Sequence, residues 1–83
     1  MEEEYTKPYI SAIVPIFNEE KTVSNVVEVL LENPQIDEVI CVNDGSTDQS
    51  LVVLKEFEKE IQLIDLKENH GKGYALAEGL KKA

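Results

Sequence analysis

Three short apolar segments recur at a nearly constant interval along the chain, and this spacing restricts the fold more than any other feature. They cover residues 10–16, 36–42 and 61–66, so their starts lie 26 and then 25 residues apart. Their continuous β-branched runs indicate strands that are covered on both faces, as in a parallel sheet. An interval of this length is typical of one strand followed by one helix.

Helical patterns occupy the intervals between the strands. The first helix is predicted to end at Asn33-Pro34, because proline cannot continue it, and its apolar residues follow i, i+3, i+4, i+7, i+8 spacing: Val23, Val26, Val27, Leu30 and Leu31. The second helix is predicted to be capped by Ser46 and to bury Leu51, Leu54 and Phe57.

The third helix is predicted to begin near Gly73. Its apolar stripe is Leu76, Ala77 and Leu80, and the small residues Ala75 and Gly79 would permit close packing on a sheet.

The alternation of strands and helices predicts an α/β fold with three parallel strands. Right-handed crossovers then place the three helices on the faces of the sheet. Residues 10–83 form one unit without a linker or a second domain. Residues 1–9, with the acidic start Met1-Glu2-Glu3-Glu4, are predicted to be a loose arm.

Charge and composition exclude several classes of protein. The formal net charge is −9, which disfavours nucleic acid as a partner because phosphate binding needs a basic face. Cys41 is the single cysteine, so an internal disulfide is excluded. The apolar runs are too short to cross a bilayer and the acidic N-terminus does not resemble a signal peptide, so we expect a cytoplasmic location.

Polar loops follow all three predicted strands, at residues 17–20, 43–48 and 68–73. Ligands of open α/β sheets bind at the carboxyl ends of the strands, so these loops are expected to share one site. Neither G-x-G-x-x-G nor G-x-x-x-x-G-K-[ST] occurs, which disfavours a dinucleotide fold and a P-loop.

The residue types in these loops suit a nucleotide. The Phe17 ring offers a face on which a base could stack, and the Asp44 carboxylate could accept a hydrogen bond from a base N–H. Lys72, beside a glycine turn at a helix N-terminus, suits a diphosphate. Purely structural interpretations stay open: Phe17 as a core residue, Asn18 as a helix cap, and residues 44–46 as an ordinary strand-to-helix turn.

Three motifs in this order resemble the amino-terminal part of a family 2 glycosyltransferase with the GT-A fold. They are VPIFNEE (14–20), VNDGSTD (42–48) and ENHGKGYALAEGL (68–80). The sequence is similar to polyprenyl-phosphate sugar synthases and to their processive relatives. The resemblance implies a truncated Rossmann-like GT-A fold with the three strands in the order 3-2-1. Residues 10–83 would be the nucleotide-binding half of an incomplete glycosyltransferase domain.

The resemblance assigns seven residues to nucleotide-sugar binding: Pro15, Phe17, Glu19, Val42, Asp44, Gly71 and Lys72. It implies that Pro15 and Phe17 frame the base, with Glu19 nearby. Asp44 would contact the base in a pocket lined by Val42. Gly71 and Lys72 belong to the N-x-G-K-G turn, which starts at Asn69. The family often has aspartate where this chain has Asn43.

The resemblance also implies which reaction the site serves. The donor would be a UDP- or GDP-sugar, and the sugar would pass to an acceptor with inversion. Family members bind Mg²⁺ or Mn²⁺ at a D-x-D motif after a fourth strand and use a later carboxylate as general base. Residues 1–83 contain neither, so we expect no catalytic or metal-binding residue here and no activity of the chain alone.

Strand one is central in the family and would be an exposed edge here, so we expect self-association along it. A receiver-like interaction module, with Asp44 as phosphoacceptor, is the main alternative function. A sugar nucleotidyltransferase is a second one, although it typically has a glycine-rich loop after strand one, and residues 17–20 contain no glycine. The sequence does not indicate the acceptor.

Overall fold

A computed structural model describes residues 7–83 as three parallel strands and three helices in strict alternation. The strands are β1 (Ser11–Ile16), β2 (Glu38–Asp44) and β3 (Gln62–Leu66). The helices are α1 (Val23–Glu32), α2 (Ser50–Lys55) and α3 (Lys72–Lys82). β2 lies between β1 and β3, which confirms the predicted α/β class and strand order.

The predicted acidic arm lies mostly outside the described residues. Only its residues 7–9 are described, and Lys7 forms an ion pair with Asp37, with 2.7 Å between Nζ and Oδ2. The same carboxylate oxygen accepts a hydrogen bond from the Ile10 amide at 2.7 Å. Asp37 therefore fixes the chain just before β1.

The strand β2 ends two residues later than the sequence pattern indicates. Asn43 pairs in register with Ile16 of β1, and Asp44 pairs with Leu66 of β3. Asn43 and Asp44, which were expected in a loop, therefore belong to the end of the central strand.

The core lies on both faces of the sheet. One layer packs α1 and α2 against the sheet, with Val23, Val27, Cys41 and Leu54 fully buried. Burial raises the pKa of the Cys41 thiol to about 11, so it stays neutral and packs as a small apolar side chain. The other layer packs α3 against β1 and β2.

The predicted cap of α2 is wrong. The helix begins at Ser50, whose amide donates to Asp48 Oδ1 at 2.9 Å. The Ser46 hydroxyl instead accepts a hydrogen bond from the Asn18 amide in another loop. Of the residues predicted to be buried on this helix, Leu54 is fully buried, whereas Leu51 and Phe57 are half-buried.

The predicted apolar stripe of α3 is also not the face that packs on the sheet. Ala75 and Gly79 are buried, while Leu76 and Leu80 are 40% and 67% exposed and Ala77 is exposed too. The cause is the close approach of α3, because a Cβ on Gly79 would lie 2.4 Å from Cγ2 of Ile13. Small residues therefore form the contact surface, as Ala75 and Gly79 were expected to permit.

Candidate functional site

A cavity of about 290 Å³ opens at the carboxyl ends of the strands. It lies at the lower end of the volumes common for ligand pockets. Residues from all three strand-to-helix connections or the strand ends before them line it: Pro15, Ile16, Phe17, Glu19, Asp44, Asn69, Gly71 and Lys72.

The structure brings six of the seven sequence-predicted site residues together at this cavity. The exception is Val42, which is fully buried in the layer beneath α3 and does not line the cavity. Two lining residues lay outside the predicted seven. Asn69 begins the N-x-G-K-G turn and was therefore recognisable, whereas Ile16 read as an ordinary strand residue.

Phe17 stands at the cavity with 44% of its surface exposed, so its ring is accessible. The next residue, Asn18, has φ of +51°, a left-handed conformation that asparagine tolerates better than most residues. The Asn18 amide donates to Ser46 Oγ at 3.0 Å, and the Thr47 amide donates to Asn18 Oδ1 at 2.8 Å. Asn18 thus joins the loop after β1 to the loop after β2, and it fixes the turn that carries Phe17.

A second set of hydrogen bonds joins the same two loops. The Glu19 amide donates to Ser50 Oγ at 2.8 Å, and the Glu20 amide donates to Asp48 Oδ2 at 3.2 Å. Partial burial would raise the pKa of Asp48, but hydrogen bonds from Ser50 and from the Glu20 amide lower it below its ordinary value. Side chains that accept hydrogen bonds from backbone amides therefore hold the loop after β1 in place beside the loop after β2.

Asp44 lies at the end of the central strand and is 2% exposed. Its Oδ1 accepts from the His70 amide at 2.8 Å and its Oδ2 accepts from the Gly71 amide at 3.0 Å. The Asn69 side chain donates to the Asp44 carbonyl oxygen at 3.2 Å. A phosphoacceptor has to attack phosphorus through one carboxylate oxygen, and both oxygens of Asp44 are held by backbone amides of the turn, which disfavours the receiver-like alternative.

Two glycines allow the loops after β2 and β3 to meet at this point. Gly45 has φ of +68°, and a Cβ there would lie 2.4 Å from the Asn69 backbone nitrogen. Gly71 has φ of +97° and immediately precedes α3. Lys72 is the first residue of α3, and it is the single cationic side chain among the described residues that line the cavity.

Asn43 occupies the position where the resembled family often has aspartate, and it does not line the cavity. It is 2% exposed, and its Nδ2 donates to Asp65 Oδ1 at 2.9 Å. Burial would raise the pKa of Asp65, but hydrogen bonds from Lys67 and Asn43 lower it. An aspartate at position 43 would place two carboxylates in contact, so asparagine is the residue that suits Asp65 here.

A metal ion finds no ready set of ligands in residues 7–83. No three or more His, Cys, Asp or Glu side chains gather there in a way that could hold one. The carboxylates of Glu19 and Asp44 that line the cavity do not make such a group. The resemblance places the Mg²⁺ or Mn²⁺ of the complete enzyme at a D-x-D motif, and residues 1–83 contain no such motif.

Comparisons with known proteins agree with the motifs and with the fold. The family model described as glycosyl transferase family 2 matches residues 11–83. The poly-beta-1,6-N-acetyl-D-glucosamine synthase of Staphylococcus epidermidis is 38% identical over 78 residues, which is 89% of this chain and 19% of the relative. The dodecaprenyl-phosphate galacturonate synthase of Rhizobium johnstonii is 34% identical over 82 residues, 89% of this chain and 24% of that protein. The latter confirms the resemblance to polyprenyl-phosphate sugar synthases.

One solved structure shows the same fold. It is the mannosyltransferase PcManGT of Pyrobaculum calidifontis in complex with GDP-Man and Mn²⁺, with a TM-score of 0.83 at 24% identity. The match covers 94% of this chain and 25% of that one. The chain thus spans 19–25% of the length of these three proteins.

Proposed function

The chain belongs to glycosyl transferase family 2, and on that basis we propose that its cavity binds the nucleoside diphosphate of a UDP- or GDP-sugar. Residues 10–83 then form the nucleotide-binding half of a glycosyltransferase domain. The reaction served by this domain is transfer of the sugar to an acceptor with inversion.

One observation carries the proposal: Phe17 after β1, Asp44 at the end of β2 and Lys72 at the start of α3 line one cavity. An accessible ring at one strand end offers a stacking surface for the base, worth about 1–3 kcal/mol per stacked base. The Asp44 carboxylate accepts hydrogen bonds and so selects a base edge that carries N–H groups. A lysine at the start of α3 supplies positive charge for the diphosphate.

The role of these residues is to bind and orient the donor. The chemistry also needs neutralisation of the leaving diphosphate and deprotonation of the acceptor. Within residues 7–83 no three His, Cys, Asp or Glu side chains form a group that could hold a metal ion, and none of the described residues is assigned to the acceptor. We therefore expect the 83-residue chain to bind the donor without transferring its sugar.

Equilibrium titrations of the 83-residue chain with uridine, UDP and GDP test the proposal. Phe17→Ala should weaken uridine and UDP alike, by about fivefold or more, because it removes a stacking surface. Lys72→Ala should weaken UDP by about tenfold and leave uridine unchanged, because the lost charge-assisted contact is to phosphate.

Two exposed residues outside the cavity serve as matched controls. Tyr9→Ala removes an aromatic ring that is 71% exposed, and Lys59→Ala removes one exposed positive charge. Both should bind as the wild type does. Equal losses in Lys72→Ala and Lys59→Ala would mean that general charge, and not this cavity, controls binding, and no binding of either nucleotide by the wild type would refute the proposed site.

The cellular location and the oligomeric state are proposed from other features. No helix within residues 7–83 has the length and apolarity to cross a bilayer. The relative named for dodecaprenyl phosphate supports a cytoplasmic membrane face as the place where the whole protein acts. Among the described strands β1 pairs with β2 alone, which supports self-association through its free edge. Sedimentation should show species larger than a monomer, and a strictly monomeric chain at high concentration would contradict this.

A further inference from the structure

The Asp44 carboxylate is used by the protein itself, in addition to facing the cavity. We propose that Asp44 is a positioning residue that holds the turn at residues 69–73 where a diphosphate can bind. The Asp44 carboxylate would then contact the base directly and also position the turn that binds the diphosphate. The functional part of this inference rests on the nucleotide site proposed above, whereas the geometric part stands without it.

Among the described residues, the turn is tied to the sheet by hydrogen bonds that end on Asp44. Within residues 7–83, the described hydrogen bonds that join Asn69, His70 and Gly71 to the sheet go to the Asp44 carboxylate or carbonyl oxygen. Asp44 itself is fixed, because it pairs with Leu66 and is the last residue of the central strand. The turn therefore takes its position from a rigid point.

The two amides that bond Asp44 are consecutive, and they immediately precede the first turn of α3. The His70 and Gly71 amides donate to different oxygens of one carboxylate at 2.8 and 3.0 Å. Amide hydrogen bonds and the positive end of the α3 dipole stabilise this buried carboxylate in place of a cation. Lys72 follows directly, so the carboxylate sets where the lysine backbone stands relative to the cavity.

Base binding and turn position are therefore coupled. A carboxylate has about four lone-pair sites, and two are taken by the turn, so a base N–H can still be accepted. Asparagine cannot reproduce the arrangement: its single carbonyl oxygen can accept one amide, while its NH₂ group would face the other. The loss of Asp44 should consequently weaken the diphosphate contact even for a ligand that has no base.

Titrations of the Asp44→Asn variant with inorganic pyrophosphate and with UDP distinguish this positioning role from direct recognition of the base. We expect both ligands to bind about tenfold more weakly, a change equivalent to about 1.4 kcal/mol. A weaker affinity for UDP with unchanged pyrophosphate affinity would overturn the inference. Asp65→Asn is the matched control, since it removes a strand-end carboxylate of the neighbouring strand that does not line the cavity.

Amide hydrogen exchange of the free chain tests the same role without any ligand. In Asp44→Asn, the His70 and Gly71 amides should exchange at least about tenfold faster, while the β1 and β2 amides keep their wild-type rates. Unchanged exchange at both amides would overturn the inference even if no ligand bound.

A measurement on the wild type covers the case in which the variant does not fold. Scalar couplings across the hydrogen bonds should connect the His70 and Gly71 amide nitrogens to the Asp44 carboxyl carbon. Their absence in a folded chain would refute the inference. A wild type that shows these couplings but binds neither UDP nor pyrophosphate would refute the nucleotide site and leave the structural role of Asp44 standing.

Discussion

Replacing Gly45 by alanine is expected to damage the junction between the loops that follow β2 and β3. The residue has φ of +68°, which costs a side-chain-bearing residue about 1–2 kcal/mol. The new Cβ would lie 2.4 Å from the Asn69 nitrogen and 2.5 Å from the Glu68 carbonyl carbon. Both are backbone atoms, so the loop after β3 has to move by about 1 Å, and overpacking of this kind costs about 1–3 kcal/mol.

These two costs are opposed by the lower conformational entropy of alanine in the unfolded chain, about 0.4–1 kcal/mol. The net loss for Gly45→Ala is therefore about 1–5 kcal/mol. A domain of this length has a free energy of unfolding of about 4–12 kcal/mol. The variant should consequently lose a large fraction of its stability.

Urea unfolding followed by circular dichroism measures this loss, with Gly73→Ala as the matched control. Gly73 lies in α3, and a Cβ there would meet no heavy atom within 4 Å. The control should be stabilised by up to about 1 kcal/mol, because alanine favours helix. A Gly45→Ala chain within about 0.5 kcal/mol of the wild type, or a loss of similar size in both variants, would refute the close approach of the two loops.

Three further outcomes are expected. Asn18→Gly keeps the left-handed turn but removes the side-chain oxygen that joins two loops, so the free energy of unfolding should fall by about 1 kcal/mol and UDP should bind more weakly. Asn18→Asp keeps that oxygen and should bind UDP as the wild type does. Urea unfolding and UDP titration measure the two effects. Gly79→Ala should lower the free energy of unfolding, measured with urea, by about 1 kcal/mol or more. The new Cβ would lie 2.4 Å from the Ile13 side chain, and this overpacking outweighs the higher helix propensity of alanine. Hydrogen bonds from the Lys7 side chain and the Ile10 amide lower the pKa of Asp37 below its ordinary value of 3.8. The ionised carboxylate therefore stabilises the fold above pH 3.8, and this contribution is lost as the pH falls through the lowered pKa. NMR titration of the Asp37 carboxyl carbon measures the pKa, and the stability of Asp37→Asn should depend less on acid pH.

The fold was predictable because its signals are local and repeat along the chain. Each strand is a short apolar run, each helix has its own apolar spacing, and the right-handed crossover rule places the helices on the faces of the sheet. The strand order was predictable from the resemblance alone. The site was predictable for a related reason. In a parallel sheet every strand ends at the same edge, so loop residues that are distant in sequence meet there.

Features set by a single tertiary contact were not predictable. The face of α3 that packs on the sheet depends on how closely Gly79 approaches Ile13, and spacing alone favours the larger leucines. The Ser46 hydroxyl is used by Asn18 of another loop instead of capping α2. Val42 was assigned to the cavity by resemblance, whereas β2 continues to Asp44 and places Val42 beneath α3.

The most direct test of the nucleotide site is the pattern of nuclear Overhauser effects between the isotope-labelled chain and bound UDP or GDP, whichever binds more tightly. The account predicts contacts from the base protons to the Phe17 ring and from the ribose to residues of the same cavity, together with amide shifts at residues 69–72. Contacts that fall instead on the groove of α1 between Thr22 and Leu30, with Phe17 unaffected, would contradict it.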